Sequence, residues 1–286
     1  MRPVISPAEL ADLLASSDPP VVVDVRWSLT GPPGREDFAA GRLPGAVYLD
    51  MESELAAAPG PGGRHPLPDP ATLQAGLRRA GIGSDRAVVA YDAANGSVAA
   101  RLWWLLRWAG HPRVAVLDGG MAAWRAAGLP LSTAETVPQT GTITVRPGAM
   151  PVLDAADAAA LARDGVLLDA RAAPRYRGEN EPVDPRAGHV PGARSAPFSA
   201  LTDGEGRWHA PEALRDLAAH WGVGEPGGPV SVGAYCGSGI NACALVLGLE
   251  LAGVTSPERP AALYAGSWSQ WCTDPQRPVA TGEEPG

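Results

Sequence analysis

The chain repeats itself once, and this duplication limits what it can fold into more than any other feature of the sequence. Four segments of the first half return in order in the second: 21–26 as 166–171, 43–46 as 190–193, 88–91 as 232–235 and 119–124 as 266–271. The copies are 144 to 147 residues apart, whereas solenoid repeats are about 20–50 residues long. The 286 residues therefore predict two related domains.

Within each copy, short β-branched segments alternate with helical ones. Residues 21–25, 87–91 and 114–117 are typical of buried strands, and residues 230–235 match them in the second copy. The apolar spacing predicts helices over 71–80, 97–109, 211–221 and 242–252. Strands that alternate with helices favour an α/β fold, so we expect two tandem domains, each a mostly parallel sheet flanked by helices.

The predicted boundaries follow from the repeat and from local composition. We expect an N-terminal domain over 1–132, a linker rich in Ser, Thr, Pro and Gly over 133–150, a C-terminal domain over 151–280 and a tail over 281–286.

Composition excludes several classes of function. All 23 lysine-plus-arginine residues are arginine; without lysine there is no Schiff-base enzyme, Walker A loop or kinase of the usual kind. The net charge is −8, which disfavours a nucleic-acid partner. No signal peptide and no apolar run of about 18 residues is found, so we expect a cytoplasmic protein outside the membrane.

One of the three cysteines, Cys236, lies where a predicted strand ends and a predicted helix begins. The loop that follows it contains two glycines, which let the backbone curl tightly: Gly237, Ser238, Gly239, Ile240 and Asn241. Amide N–H groups and the helix dipole can then face the sulfur, lower the pKa of the thiol and create a thiolate nucleophile. Because no Cys-x-x-Cys pair exists, we expect neither a disulfide framework nor a structural metal site.

Together these features resemble the tandem-domain rhodanese-type sulfurtransferases, the family of thiosulfate and 3-mercaptopyruvate sulfurtransferases. The resemblance covers about residues 4–280 and includes the Asp-x-Arg strands and the motifs at 188–193 and 266–271. It implies an enzyme in which Cys236 takes the outer sulfur of a donor, becomes a persulfide and passes the sulfur to an acceptor. It also implies a non-catalytic N-terminal domain, because Asp92 stands where the repeat would place the nucleophile.

The resemblance also bears on the donor. The residues after the cysteine, Gly237 and Ser238, are neutral as in the mercaptopyruvate type, whereas thiosulfate-preferring members tend to have basic residues there. In the mercaptopyruvate type the loop serine joins a histidine and an acidic residue. The matching positions here are His65 and Glu52, although the family usually has aspartate at the second.

Two arginines are expected to bind the anionic group of the donor. Arg175 matches a substrate-binding arginine of the family, and a guanidinium can hold a carboxylate or sulfonate in a fork. The mercaptopyruvate pattern has a second arginine nine residues further on, where this chain has Asp184. The nearby Arg186 is the expected substitute. The resemblance implies no metal and no organic cofactor.

Two other functions stay open at this point. One is a thiosulfate:cyanide sulfurtransferase, a rhodanese; the other, from a different class, is a persulfide carrier that serves a protein partner. Cyanide, a small thiol, thioredoxin or a sulfur-mobilising protein are all open as acceptors. A phosphatase of related fold needs Cys-x5-Arg to clamp phosphate, and Ala242 stands where that arginine would be.

Overall fold

Each copy of the repeat folds around its own parallel sheet in the computed structural model, which describes residues 1–224 and 231–286. Unit 1 consists of Met1–Ala57, Leu67–Ala149 and Thr202–Trp208, and unit 2 of Ala58–Pro66, Met150–Leu201 and His209–Gly286. Each unit thus contains a short segment whose neighbours in sequence belong to the other unit. The sequence carries no signal for this exchange, which places His65 in the unit that contains Cys236.

Unit 1 alternates strands and helices along the chain. The strands are β1 (Val4–Ile5), β2 (Val21–Asp24), β3 (Val47–Tyr48), β4 (Val88–Tyr91) and β5 (Val114–Leu117). The helices are α1 (Pro7–Leu14), α2 (Gly34–Ala40), α3 (Pro70–Arg79), α4 (Ser97–Trp108) and α5 (Gly120–Ala126). The strands pair in parallel in the order β1-β5-β4-β2-β3.

Unit 2 repeats this plan. Its strands are β6 (Val166–Asp169), β7 (Arg194–Ser195), β8 (Val232–Tyr235) and β9 (Ala262–Leu263). Its helices are α6 (Ala155–Asp164), α7 (Ala173–Tyr176), α8 (Pro211–His220), α9 (Asn241–Leu251) and α10 (Ser267–Trp271), with a 3-10 helix at Phe198–Leu201. The strands pair in parallel in the order β7-β6-β8-β9.

The predicted fold class is confirmed: both sheets are parallel and flanked by helices. Strands β2, β4, β5, β6 and β8 are buried along their whole length, as expected for parallel strands covered on both faces. Val230, the predicted first residue of the strand at 230–235, lies outside the described residues. Among the described helices, none is long and apolar enough to cross a membrane.

The repeated Asp-x-Arg strands each contain a buried ion pair. In unit 1, Arg26 Nη2 lies 2.7 Å from Asp24 Oδ2, and the Tyr91 hydroxyl donates to the same oxygen over 2.6 Å. In unit 2, Arg171 Nη2 lies 2.6 Å from Asp169 Oδ2. Asp24 and Tyr91 end neighbouring strands, so the network fixes the carboxyl edge of the sheet. Ligand sites of α/β sheets form at this edge.

Candidate active site

The loop after β8 presents its cysteine sulfur to its own backbone. Cys236 is 3% exposed, and its Sγ accepts a hydrogen bond from the Gly239 amide over 3.1 Å. Gly239 has a φ of +85°, and a Cβ there would lie 2.6 Å from the Ala265 carbonyl oxygen, so this turn requires glycine. The chain then enters α9, whose N-terminus favours negative charge on the sulfur.

Four other amides of this loop have no hydrogen-bond acceptor among the residues that the structure describes. They belong to Gly237, Ser238, Ile240 and Asn241. Backbone N–H groups in protein interiors are nearly always paired. A cluster of free amides around a buried sulfur is therefore suited to hold an anion.

The equivalent loop of unit 1 holds such an anion. Asp92 occupies the position of Cys236, and its carboxylate accepts hydrogen bonds of 3.0–3.1 Å from the amides of Ala94, Gly96, Val98 and Ala99. Burial raises the pKa of the Asp92 carboxyl, and the four amides oppose this shift because each stabilises the carboxylate. The repeated loop is thus an anion cradle that unit 1 fills with its own side chain.

The start of helix α10 holds the Cys236 loop through hydrogen bonds. Ser267 is buried and has a φ of +54°, and no other non-glycine residue in the described part of the chain has a positive φ. Its Oγ accepts a hydrogen bond from the Cys236 amide over 3.1 Å. The amides of Trp268 and Ser269 donate to the carbonyl oxygens of Cys236 and Gly237 over 3.0 and 2.9 Å. The strained backbone at Ser267 is therefore held in a position that supports the Cys236 loop.

The segment Ala58–Pro66 brings a histidine to the loop. His65 Nδ1 lies 2.8 Å from Ser238 Oγ, and both residues are buried. Gly63 permits the close approach, since a Cβ there would lie 2.6 Å from the Gly266 carbonyl oxygen. A serine and a histidine in hydrogen-bond contact can relay a proton. The structure therefore brings together the two residues that the sequence analysis paired.

Arg175 lies beside the loop, but its fork is already occupied. Its Nε and Nη2 donate to the two carboxylate oxygens of Glu181 over 3.1 and 2.6 Å, and Nη2 also donates to Asp184 over 3.0 Å. The remaining nitrogen, Nη1, would lie 3.4 Å from a Cβ on Gly237. Arg175 thus faces the loop with one nitrogen instead of the expected bidentate fork.

A second guanidinium lies at this place, that of Arg64, which was not among the predicted site residues. Its Nη1 pairs with Asp184 over 2.8 Å, and its Nη2 would lie 3.5 Å from a Cβ on Gly237. Arg64 directly precedes His65, so an assignment of the histidine to the site could have drawn attention to it. Its pairing with an acidic residue 120 positions away has no signal in the sequence.

Two predicted site residues have contacts elsewhere. Arg186 donates from Nη1 and Nη2 to the carbonyl oxygens of Asp274 and Arg277. These bonds fasten the C-terminal segment, and a role of Arg186 in donor binding stays a prediction. Glu52 belongs to unit 1, where its carboxylate accepts a hydrogen bond from the Trp27 indole over 3.3 Å. Its part in a proton relay stays a prediction.

The other two cysteines have structural contacts. Cys243 lies within α9, and its Sγ donates to the Gly239 carbonyl oxygen over 3.2 Å. Cys272 packs in the hydrophobic core of unit 2, and burial raises the pKa of its thiol. A raised pKa disfavours the thiolate, so Cys272 is a poor nucleophile.

The chain is similar to known proteins along both copies of the repeat. The model of a family described as the rhodanese-like domain matches residues 6–127 and 154–274. A probable 3-mercaptopyruvate sulfurtransferase of Pseudomonas aeruginosa is 45% identical over 98% of this chain and 98% of its own. A putative thiosulfate sulfurtransferase of Mycobacterium tuberculosis is 43% identical over 98% of this chain and 97% of its own.

A solved structure is also similar over nearly the whole chain. The crystal structure of SseA from Escherichia coli, described as a 3-mercaptopyruvate sulfotransferase, has a TM-score of 0.81 at 27% identity and covers 94% of this chain and 100% of that chain. The two relatives named above carry different donors in their names at nearly equal identity. The choice of donor therefore has to come from the site.

Proposed function

The chain belongs to the tandem rhodanese-type sulfurtransferases, and from that premise we propose that it moves a sulfane sulfur from 3-mercaptopyruvate to a thiophilic acceptor through a persulfide on Cys236. The observation that supports this most directly is the loop, in which the sulfur accepts one amide hydrogen bond and Ser238 contacts His65. Unit 1 takes no chemical step in this proposal, because Asp92 fills its cradle.

The proposed reaction begins when the Cys236 thiolate attacks the sulfur of the donor. An S–S bond forms, the C–S bond of the donor breaks, and its electron pair stays on the carbon that becomes the methyl group of pyruvate. That carbon gains a proton and the thiol proton of the donor is released, so the persulfide is left as an anion. The loop amides stabilise both sulfur anions. An acceptor then attacks the outer sulfur, and the Cys236 thiolate leaves.

The proton step favours mercaptopyruvate over thiosulfate. The departing pyruvate enolate must be protonated, whereas sulfite leaves thiosulfate as a stable anion without a proton. Ser238 and His65, 2.8 Å apart, form a pair that can deliver that proton. A site built only for thiosulfate would have no use for this pair.

The charges beside the loop favour the same donor. Arg64 and Arg175 are balanced by Glu181 and Asp184. Two positive and two negative charges leave no excess to attract a dianion, because attraction and repulsion nearly cancel. The single carboxylate of mercaptopyruvate suits this neutral cluster better than the double charge of thiosulfate.

Donor preference is the first test. With cyanide as the acceptor, we expect kcat/KM to be at least about 100-fold higher for 3-mercaptopyruvate than for thiosulfate, the scale of one general acid. A preference for thiosulfate would overturn the donor and leave the rhodanese reaction in its place. A Cys236 persulfide that forms without turnover would instead favour a carrier that passes sulfur to a protein partner.

The proton relay makes a donor-specific prediction. Ser238→Ala is expected to lower kcat with 3-mercaptopyruvate by about 10- to 100-fold, and His65→Gln to do the same. With thiosulfate both variants should stay within about threefold of the wild type, because no leaving group needs a proton. The measurement is kcat with each donor for each variant. An equal loss with both donors would mean that the pair only shapes the loop.

The acceptor in this proposal is cyanide or a small thiol. Both are nucleophiles that can attack the outer sulfur of a persulfide. Thioredoxin or a sulfur-mobilising protein would meet the same requirement through a cysteine thiol. Thiocyanate formation and thiol-dependent sulfide release, measured with one preparation, separate the first two acceptors.

A further inference from the structure

We infer that Arg64 binds the sulfur donor, as the second guanidinium that holds the donor's carboxylate beside Gly237. This inference rests on the proposed function and names a residue that recognises its substrate. Arg175 was the expected anchor, and Arg186, its expected partner, is bonded to the C-terminal segment.

Two guanidinium nitrogens converge on the loop. A Cβ built on Gly237 would lie 3.4 Å from Arg175 Nη1 and 3.5 Å from Arg64 Nη2. Gly237 directly follows Cys236, so both nitrogens approach the loop that contains the cysteine. Two nitrogens from different arginines can each bind one oxygen of a carboxylate, which replaces the fork that Arg175 alone no longer offers.

Asp184 orients both guanidiniums by accepting hydrogen bonds from each. It accepts from Arg64 Nη1 over 2.8 Å and from Arg175 Nη2 over 3.0 Å. The side chain of Asp184 is 3% exposed, whereas those of Arg64 and Arg175 are 23% and 21% exposed. The carboxylate is therefore the buried support, and the cations form the accessible surface that a donor meets.

Arg64 also has N–H groups that are weakly paired or unpaired among the described residues. Its Nη2 makes one long contact, 3.5 Å to Asp184, and its Nε is buried with no hydrogen-bond partner among the described residues. Nη2 is the Arg64 nitrogen that lies nearest Gly237, and its single long contact leaves it able to bind an anionic ligand there.

The test measures the carboxylate preference at Cys236 without any sulfur transfer. The reactions of Cys236 with iodoacetate and with the neutral iodoacetamide are followed by peptide mass spectrometry in the wild type and in three variants. Arg64→Gln removes the cation, Arg64→Lys keeps a positive charge, and Arg177→Gln removes an arginine that pairs with Glu179 on the surface of the same unit. The iodoacetamide rate corrects for changes in thiol reactivity or folding.

We expect Arg64→Gln to lower the ratio of the iodoacetate rate to the iodoacetamide rate about 5- to 10-fold at low salt, since ionic contacts are screened at high salt. Arg64→Lys should give an intermediate ratio, and Arg177→Gln should leave it unchanged. An unchanged ratio in Arg64→Gln would overturn the inference. So would an equal fall in both rates, because it would reflect the loop and not the anion.

Steady-state kinetics give a second readout. For Arg64→Gln we expect KM for 3-mercaptopyruvate to rise about 10- to 30-fold and kcat to stay within about threefold. Mercaptoacetone, which has the same reacting atoms but no carboxylate, should be used equally well by the wild type and the variant. If the wild type turns over no mercaptopyruvate, the proposed function fails, whereas the alkylation ratio still decides whether Arg64 binds anions.

Discussion

Replacing Cys236 with serine is expected to abolish sulfur transfer, with kcat/KM for either donor lowered at least about 10⁴-fold. A serine hydroxyl is not ionised at neutral pH and cannot accept a sulfane sulfur. The loop amides would remain, but no sulfur anion would form for them to stabilise. Turnover is measured by pyruvate and thiocyanate formation. The peptide that contains residue 236 should gain one sulfur atom in the wild type and none in the variant.

Cys272→Ala is the matched control, because Cys272 is also a free, buried cysteine of unit 2. We expect it to keep kcat/KM within about threefold of the wild type and to form the persulfide at Cys236. Activity above about one thousandth of the wild type in Cys236→Ser would refute the covalent mechanism, since a nucleophile removed from such a site leaves little catalysis. A thermal unfolding curve of the serine variant tests whether it is folded.

Replacing Asp92 with asparagine is expected to destabilise unit 1 by about 2–4 kcal/mol. The carboxylate accepts four amide hydrogen bonds, two at each oxygen. Asparagine keeps one oxygen and places an NH2 group against the other two amides, so donor faces donor in a buried site. Scanning calorimetry should show a melting temperature lower by about 5–10 °C.

Glu36→Gln is the control for Asp92→Asn. Glu36 is an exposed acidic residue in the first turn of α2, so its substitution removes one negative charge from unit 1 without emptying a buried site. We expect a stability change within about 0.5 kcal/mol. Well below its melting temperature, Asp92→Asn should transfer sulfur at the wild-type rate, as expected if unit 1 takes no chemical step. A melting temperature equal to that of the control would refute the anion cradle.

The fold was predictable because it depends on short-range patterns. Buried strands such as 87–91 and 114–117 appear as continuous apolar segments, and the structure places β4 at Val88–Tyr91 and β5 at Val114–Leu117. The helix predicted at 97–109 is α4, Ser97–Trp108. Alternation of these segments already implies parallel strands joined by helices. The repeat then predicts a second parallel sheet, which has four strands where the first has five.

The position of the candidate cysteine was also predictable from local sequence. Cys236 follows a strand and precedes a helix within one short stretch of sequence, and the glycines after it predict the tight turn. The hydrogen bond that fixes this loop is not local, because the Ser267 hydroxyl that accepts from the Cys236 amide lies 31 positions away. The positive φ of the buried Ser267 cannot be predicted from composition or periodicity.

The sequence by itself determined two α/β copies, one with a cysteine and one with an aspartate in the same loop. Only the tertiary structure decided which charges meet beside that loop. It placed Arg64 and His65 in the unit that contains Cys236 and paired Arg64 with Asp184. It also bonded Arg186 to the C-terminal segment. The physical reason is that secondary structure follows from neighbours a few residues apart. Ion pairs depend instead on distances in space, which the exchanged segments set between residues far apart in the chain.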